Sequence, residues 1–526
     1  MLRKNTMTAQ QISILWADDE IDLLKAQILF LGSKGYRIVA VGSGAEALEK
    51  VRSEAFDLVF LDEHMPGLTG LEVLPRIKAV RPQVPVVMIT KNEEENLMEE
   101  AIGSQIADYL IKPVNPNQIL LSIKKILDQK RLVGEKTTAE YQQDFRNLGL
   151  AFNDDLSAQG WMDTYAKLVY WDVELEKSKD EGMKEVLAMQ RAEANRQFTR
   201  FIKNEYLDWF KNPSEDIPIL SHNLLRKKLF PRLEKNRPTF LFVIDNLRLD
   251  QLKVLEPIIS EYFQTEESGT YMSILPTSTE FARNALFAGL MPLDIKSRYP
   301  DKWVSPTEEE GSRNMHEAFF LQEFLKRSGH DLRMSYHKIT QLQQGKQLAE
   351  NASNLFGHDL VVVVYNFVDM LSHARSEMNV IKELADDEVS YRSITRSWFE
   401  HSPLWELMRR VADKKCPMFV TTDHGTVRVA EPVRIVGDRN TNTNLRFKEG
   451  KNLSYDNDDL FVIEKPEEAR LIRHSLSSSY VFGGCDQYFC YPNNYHHYVN
   501  LYRHTFQHGG ISLEEMIIPW ALYTPR

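Results

Sequence analysis

Cysteine is scarce in this sequence, and so are long runs of apolar residues. Three cysteines occur among 526 residues, and they stand in no spacing that is used for a metal site. Such a low, odd number is typical of reduced thiols in a cytoplasmic protein. No apolar run approaches the roughly 20 residues that a membrane-spanning helix needs. The N-terminal stretch is polar and lacks the apolar segment of a signal peptide. We therefore expect a cytoplasmic protein without membrane insertion.

Basic runs are also missing, and this excludes one class of partner. The chain has 64 Lys and Arg against 75 Asp and Glu, for a net charge of −11. Proteins that coat long nucleic acids rely on clustered cations that release counterions from the phosphates. No helix-turn-helix or winged-helix pattern is present either. We expect no binding of long DNA, whereas a short phosphate ester held in a pocket remains compatible with this charge.

Proline is missing from the middle of the chain, and this divides the sequence into three parts. Residues 10–128 and 225–526 alternate short β-rich runs with amphipathic helices, which is typical of doubly wound sheets. Between 131 and 221, no proline occurs before Pro213, and apolar residues recur at helical spacing. The sequence therefore predicts an α/β protein. It has a doubly wound domain, a helical bundle of roughly three helices, and a second domain with a mainly parallel sheet.

Polar residues stand at the ends of the strands predicted in the first domain. Asp18 and Asp19 follow the first strand, Asp62 ends the third, Thr90 the fourth and Lys112 the fifth. The carboxyl ends of such strands meet in one crevice. Carboxylates there suit Mg²⁺, and the lysine and the hydroxyl can bind phosphoryl oxygens. Asp62 is then the candidate for phosphorylation.

This arrangement resembles the response-regulator receiver family over residues 10–128, which implies a flavodoxin-like fold. The resemblance implies that a sensor histidine kinase phosphorylates Asp62 and that Mg²⁺ takes part. It also implies that Tyr109 is the aromatic switch residue and that Lys112–Pro113 is a cis peptide. In this family, phosphorylation remodels a face that serves for dimerisation. We therefore expect a homodimer that phosphorylation promotes.

A second set of potential metal ligands follows the strands predicted in the third domain. These carboxylates and imidazoles are Asp245, Asp369, His373, Asp423, His424 and His508. Mixed Asp and His ligands suit Zn²⁺ or Mn²⁺, whereas ligand sets of oxygen alone suit Mg²⁺ or Ca²⁺. Six ligands are too many for one tetrahedral ion. The sequence therefore predicts two ions, and it leaves zinc and manganese open.

Hydroxyl groups occur in residues 276–281, where a predicted strand gives way to a helix. A threonine at such a place is often only a helix cap. Yet a helix N-terminus also assists phosphate binding, and two metal ions about 3.5–4 Å apart can activate a hydroxyl for in-line attack. Thr277 and Thr279 are the candidate nucleophiles. Arg283 and Asn284, together with Thr277, are candidates for contact with the substrate.

The order Asp, Thr, Asp-x-x-x-His, Asp-His-Gly, His-Gly-Gly resembles the alkaline phosphatase superfamily, and within it the PglZ branch, over residues 225–526. The resemblance implies two ligand sets: Asp369, His373 and His508 for one zinc ion, and Asp245, Asp423 and His424 for the other, with the nucleophile beside it. The family's spacing between the nucleophile and a glycine that ends the next helix, counted back from Gly289, selects Thr279. Thr277 remains the alternative.

A receiver, a helical segment and a PglZ-like domain in this order resemble the PorX-type response regulators of type IX secretion. The resemblance implies control of secretion and gliding, and a zinc-dependent phosphodiesterase acting on short or cyclic oligonucleotides. The residues leave open a phosphomonoesterase, or an interaction platform for a sigma factor or secretion component. Glu280 favours diesters, because a carboxylate beside Thr279 disfavours a dianionic phosphate. We interpret His496 and His497, near His508 in the sequence, as rim residues.

Overall fold

The chain divides into two compact units, Met1–Ala139 and Glu140–Arg526. The computed structural model describes the following residues: 12–91, 106–124, isolated positions between 126 and 149, 156–177, 181–212, 217–303, 314–377 (373–377 as backbone only), 387–438, 441–456 and 460–526. Within these ranges, no helix is both long enough and apolar enough to cross a membrane.

The first unit is a parallel sheet covered by helices on both faces. Its strands are β1 (Ser13–Ala17), β2 (Arg37–Val41), β3 (Leu58–Asp62), β4 (Val86–Thr90) and β5 (Asp108–Ile111), in the order β2-β1-β3-β4-β5. Its described helices are α1 (Lys25–Ser33), α2 (Gly44–Ser53), α3 (Gly70–Val80) and α4 (116–124). Residues of α2 and α3 pack on one face, and residues of α1 and α4 on the other. This confirms the predicted flavodoxin-like fold, and it explains why β1, β3 and β4 are buried along their whole length and mainly apolar.

In its described residues, the predicted helical segment forms two long helices and two short ones. They are α5 (Ala158–Glu176), α6 (Glu181–Glu205), α7 (Asp208–Lys211) and α8 (Ser221–Leu224). The first of the roughly three helices predicted for this segment falls largely outside the described residues. Trp161 and Phe198 pack edge to face at 5.6 Å, within the same buried cluster as Phe281 and Ile517 of the C-terminal region. The long helices therefore share a core with that region. The predicted boundary near residue 225 stays a prediction.

The second unit is built on a six-stranded sheet. Its strands are β6 (Thr239–Ile244), β7 (Phe263–Met272), β8 (Met334–Ile339), β9 (Leu360–Tyr365), β10 (Met418–Thr421) and, last in the chain, β19 (Ile517–Pro525). The order is β7-β19-β10-β6-β9-β8, and β10, β6, β9 and β8 are parallel neighbours. β19 runs antiparallel to both β10 and β7. The sheet is therefore mainly parallel, as predicted.

Helices on this sheet connect the strands. They are α9 (Leu249–Ile259), α10 (Thr279–Ala288), α11 (Pro292–Arg298), α12 (Glu317–Arg327), α13 (Leu342–Glu350), α14 (Phe367–Glu377), α15 (Glu388–Glu400) and α16 (Pro403–Asp413). The buried side chains of β6 and β9 alternate between two apolar clusters, one on each face of the sheet. A sheet covered on both faces positions functional groups at the carboxyl ends of its strands.

Several strands were not predicted from the sequence. β8 is an edge strand, and its half-buried, polar sequence lacks a buried-strand pattern. β7 begins at Phe263, and its first half has no buried-strand pattern in the sequence because it is largely exposed and polar. Short strands also form three small sheets: β11 (Val427–Arg428), β12 (Glu431–Val436), β13 (Phe447–Lys451), β14 (Ser454–Tyr455), β15 (Phe461–Ile463), β16 (Ser478–Phe482), β17 (Gln487–Cys490) and β18 (Phe506–Gln507). The helices α17 (Tyr495–Tyr502) and α18 (Leu513–Met516) complete this region.

Candidate active site

In the first unit, the polar residues at the strand ends meet around Lys112. Its Nζ lies 2.9 Å from Asp18 Oδ2 and 3.1 Å from Asp62 Oδ1. Asp18 and Asp62 are buried, whereas Asp19 is exposed. Burial and the charge of Asp18 raise the pKa of Asp62 to about 6, although Lys112 opposes this rise. A divalent cation at these carboxylates would favour the ionised form of Asp62, so the residues fit Mg²⁺.

Other predicted residues of the receiver site lie beside this cluster. The side chain of Tyr109 is within hydrogen-bond reach of the buried Thr90, so the structure brings these two together. The Lys112–Pro113 peptide is cis, as expected. Glu20 was missed from the sequence, although it directly follows the two aspartates. Its carboxylate lies with theirs in a group of potential ligand atoms that are within 4.8 Å of one another, and it pairs with Lys91 at 2.8 Å.

In the second unit, three adjacent parallel strands deliver acidic groups to one edge of the sheet. Asp245 follows β6, Asp423 and His424 follow β10, and Asp369 lies in the first turn of α14 after β9. β6 lies between β10 and β9, so the three strand ends are neighbours. Asp245, Asp423 and His424 are fully buried, and one potential ligand atom from each lies within 4.8 Å of the others. The structure thus brings one predicted ligand set together.

The chemistry of these buried groups fits a metal ion. No hydrogen-bond donor among the described residues reaches Asp245 Oδ1 or Asp423 Oδ2, and both atoms are buried. Burial raises the pKa of both aspartates, and the nearby Arg283 offsets this only in part. Buried, adjacent carboxylates are costly unless cations compensate them. The two oxygens and the imidazole of His424 are the donor types that Zn²⁺ or Mn²⁺ prefers.

Two imidazole rings are oriented by backbone carbonyl groups. His424 Nδ1 lies 3.1 Å from the Gly425 oxygen, and His508 Nδ1 lies 3.2 Å from the Thr277 oxygen. A carbonyl only accepts, so each Nδ1 carries the hydrogen and each Nε2 is left as an acceptor. The rings stack with centroids 4.2 Å apart, and His508 Nε2 is 3.6 Å from Asp369 Oδ1. Backbone-tied imidazoles of this kind are typical of metal ligands.

The remaining predicted histidines are less defined. His373 belongs to α14, but its side chain lies outside the described residues. Its place in the ligand set with Asp369 and His508 stays a prediction. His496 and His497 lie in α17 and are exposed, and no metal-ligand group among the described residues includes them. Their interpretation as rim residues also stays a prediction.

Thr279 lies at the start of α10, next to one of the predicted metal ligands. The N-cap position belongs to Ser278, whose side chain makes no capping bond. Thr279 Oγ1 lies 3.0 Å from His424 Nε2. Thr279 is half-buried, whereas the eight residues before it are buried. The helix ends at Gly289, whose φ of 59° is left-handed, and a Cβ there would lie 2.3 Å from the ring of Phe324. Glycine is therefore required at that end.

Thr277 has a different environment from Thr279. It is fully buried, and its Oγ1 donates to the Gly510 oxygen at 2.9 Å and accepts from the Gly509 nitrogen at 3.1 Å. Its own carbonyl oxygen is the one that orients His508. Thr277 thus holds the His-Gly-Gly loop in place.

The predicted substrate contacts on α10 are engaged within the protein. Arg283 Nη1 donates to Asp245 Oδ2 and its Nε donates to Glu317 Oε1, both at 2.6 Å. Asn284 Nδ2 donates to the Glu280 carbonyl at 2.8 Å. Arg283 and Asn284 are both buried, so a contact of either with substrate stays a prediction. Glu317 was missed from the sequence, because nothing in α12 distinguishes it before Arg283 is placed beside it.

The short helix α18 connects the His-Gly-Gly loop to the long helix α6. Glu515 Oε1 accepts from the Gly510 nitrogen at 2.9 Å. Its neighbour Glu514 is buried and accepts from Arg191 Nε at 2.6 Å and from Asn195 Nδ2 at 3.0 Å. Asn195 Oδ1 also accepts from the first backbone N–H of α18 at 2.8 Å. Two residues of the linker helix therefore support the loop that carries a predicted ligand.

Three family models match consecutive parts of the chain. Residues 14–124 match the response regulator receiver domain, and residues 131–210 match the PorX response regulator linker domain. Residues 224–523 match the BREX system PglZ alkaline phosphatase-like domain, which covers more than half of the chain. This succession of receiver, linker and PglZ domain is the PorX-type architecture.

Individual relatives resemble only the receiver part. Transcriptional regulatory protein ZraR of Klebsiella oxytoca is 34% identical over 143 residues, which are 27% of this chain and 32% of ZraR. The alginate biosynthesis transcriptional regulatory protein AlgB of Pseudomonas syringae pv. tomato is 34% identical over 125 residues, which are 24% of this chain and 28% of AlgB. The chain thus spans about a third of the length of these curated relatives. A CheY-like receiver structure from Methanospirillum hungatei JF-1 is 28% identical, with a TM-score of 0.22, and the match covers 23% of this chain and 96% of that one.

Proposed function

This chain belongs to the family of PglZ alkaline phosphatase-like domains, here behind a receiver and a PorX linker, and from that premise we propose that it is a response regulator whose C-terminal domain is a phosphodiesterase. The receiver implies a sensor kinase that phosphorylates it, and we assign that phosphorylation to Asp62. The proposed hydrolase uses two zinc ions and the hydroxyl of Thr279. Its substrates are short or cyclic oligonucleotides. We extend the proposal to a role in type IX secretion and gliding, which rests on the resemblance to PorX-type response regulators.

The observation that carries the proposal is the position of Thr279. Its Oγ1 lies 3.0 Å from His424 Nε2, beside the buried carboxylates of Asp245 and Asp423. It is also the first residue of α10, where free backbone N–H groups favour a phosphate. Thr279 is accessible to a substrate, whereas the grouped ligands are buried. These are the requirements of a nucleophile that attacks phosphorus in line with the departing alcohol.

The proposed ligand sets divide the metal site in two. Asp245, Asp423 and His424 hold the ion beside Thr279, and the other ion takes Asp369, His508 and the predicted His373. When bound, such ions lower the pKa of a hydroxyl and neutralise phosphate oxygens. The chain itself orients the ligands: Gly425 and Thr277 tie the two imidazoles through their carbonyls, and Arg283 fixes one oxygen of Asp245.

The preference for diesters rests on Glu280. Glu280 directly follows Thr279 in the sequence and is half-buried, and we propose that its carboxylate lies near the entering phosphate. A monoester carries a second negative charge that this carboxylate would repel, whereas a diester does not. The net charge of −11, without a long basic run, favours a short substrate over a long nucleic acid.

Metal analysis coupled to two chromogenic substrates tests the proposal. We expect about two zinc ions for each chain, and faster hydrolysis of bis(p-nitrophenyl) phosphate than of p-nitrophenyl phosphate. A chelator should abolish both activities, and added zinc should restore them. Faster monoester hydrolysis would indicate a phosphomonoesterase. Two bound ions without activity on either ester would indicate an interaction platform, and the absence of zinc and manganese would contradict the metal site itself.

A further inference from the structure

Asn246 lies between the two halves of the candidate metal centre. It follows Asp245 directly and is fully buried. Its backbone nitrogen lies 3.5 Å from Asp423 Oδ1, and its side-chain Nδ2 lies 3.4 Å from Asp369 Oδ1. Asp423 belongs to the ligand set beside Thr279, whereas Asp369 belongs to the other set. One residue thus contacts a carboxylate from each half of the site.

The orientation of this amide follows from its neighbours. Asn246 Nδ2 is also 3.2 Å from Ser372 Oγ, whose hydroxyl already donates to the Asp369 carbonyl oxygen at 2.7 Å. The carboxylate of Asp369 can only accept, and the hydroxyl of Ser372 has used its hydrogen. The amide nitrogen must therefore face both groups. This ties the first turn of α14 to the end of β6.

The backbone of Asn246 directs the side chain toward α14. Its φ is 64°, in the left-handed region, where asparagine is accepted more readily than most residues. The turn separates the two consecutive side chains: Asp245 remains with Asp423 and His424, and Asn246 reaches Asp369. Oδ1 of Asn246 is buried and meets no donor among the described residues. A buried amide held with one end unpaired requires an explanation beyond packing.

We propose that Asn246 is a positioning residue that couples the two ion sites by fixing Asp369 relative to Asp423. The inference rests on the proposed two-metal function and adds a residue outside the ligand sets. Its amide restrains one oxygen of Asp369 and so orients the carboxylate toward an ion, as the hydrogen-bonding partners of metal ligands commonly do. The buried Oδ1 is an acceptor for a hydroxyl or water that enters with the substrate.

Replacement of the side chain should separate the two ions in affinity. Asn246→Ala and Asn246→Gly should each bind one zinc ion as the wild type does and the second about 10–100-fold more weakly, because loss of such partners has that effect on metal affinity. Zinc content after dialysis against buffers of graded free zinc measures this directly. Diesterase activity at limiting zinc should fall in parallel and recover in excess zinc. A purely structural role would not produce that recovery.

The glycine variant distinguishes the amide from the backbone. Glycine adopts φ near 64° without strain, so equal losses in Asn246→Gly and Asn246→Ala assign the effect to the amide. Asn236→Ala is the matched control, because Asn236 has a φ of 68° and an exposed position. It should keep both ions. If Asn246→Gly binds both zinc ions as tightly as the wild type does, whatever the alanine variant does, the inference is wrong and the proposed function remains intact. A wild-type chain that binds no metal would overturn the proposed function itself.

Discussion

The proposed hydrolysis depends on the hydroxyl group of Thr279. Valine has nearly the same shape as threonine but carries a methyl group in place of that hydroxyl. Thr279→Val should abolish diester hydrolysis because no other group at that position can attack phosphorus. The variant should remain folded: the cap position belongs to Ser278, so even the usual cost of a lost cap, about 0.5–2 kcal/mol, is not expected. Initial rates on a diester and a thermal melt measure the two effects. Thr279→Ser should retain part of the activity.

Thr277 provides the control for this prediction, since it lies two residues away and has the same side chain. Thr277→Val loses two buried hydrogen bonds to the loop of His508, so it should destabilise the protein by about 1–3 kcal/mol and reduce activity only in part. Thr277→Ser should restore both properties. An inactive Thr277→Val beside an active Thr279→Val would show that the wrong threonine was chosen.

Among individual residues, the sequence predicts the positions of those that stand at the end of a strand. Asp245, Asp423 and His424 could be predicted because adjacent parallel strands must bring their ends together. The positioning role proposed for Asn246 and the pairing of Glu317 with Arg283 could not be predicted. The first depends on a left-handed φ, and the second on a partner 34 residues away in the chain. Neither property leaves a periodic signal in the sequence.

Among the elements, the contact of α6 with α18 links the PorX linker to the site. Asn195 and Arg191 are the described side chains of α6 that bond the buried carboxylate of Glu514. Asn195→Asp should place a second carboxylate against Glu514, lower the melting temperature and reduce diesterase activity, because unpaired buried charges are strongly unfavourable. Asn195→Ala should have a smaller effect. Paired melts and initial rates measure both variants.

The effect of the Asn195 variants on stability and activity shows whether α6 supports the His-Gly-Gly loop. Arg196→Ala is a suitable control, because Arg196 is exposed on the same helix and pairs with the half-buried Glu193 alone among the described residues. It should leave stability and activity within experimental error of the wild type. If Asn195→Asp melts and hydrolyses as the wild type does, α6 does not position the loop.

The elements also show which parts of the fold could be predicted. The five strands of the first unit are buried or flanked by helices of regular pattern, and all five were found. β8 and the small sheets between residues 427 and 507 were missed because their strands are short, half-buried or polar. Such strands form because of their contacts with neighbouring strands in the sheet. The local sequence pattern of one segment carries no information on these neighbours.

For the whole molecule, phosphorylation of Asp62 should shift the chain from monomer to dimer. A phosphoryl group adds roughly −1.5 to −2 charges beside Lys112 and Thr90. Lys112 already lies 3.1 Å from Asp62, and the side chain of Tyr109 is within hydrogen-bond reach of Thr90. Drawing Thr90 toward the new charge therefore also moves Tyr109 and the end of β5. In receivers, the face around the fifth strand is a common dimerisation surface.

The shift is a change in populations, so a ligand that mimics the phosphoryl group should act by its preference for the dimer. Light scattering or sedimentation with and without beryllofluoride and Mg²⁺ measures the mass. Some dimer should be present without the analogue, and the fraction should rise with it. Asp62→Ala should show no response, because the analogue bonds to the missing carboxylate. Tyr109→Ala should still bind the analogue, since it leaves Asp62 and Lys112 in place, but it should respond less in mass. If the wild type saturates with beryllofluoride at unchanged mass, the coupling of this site to dimerisation is wrong.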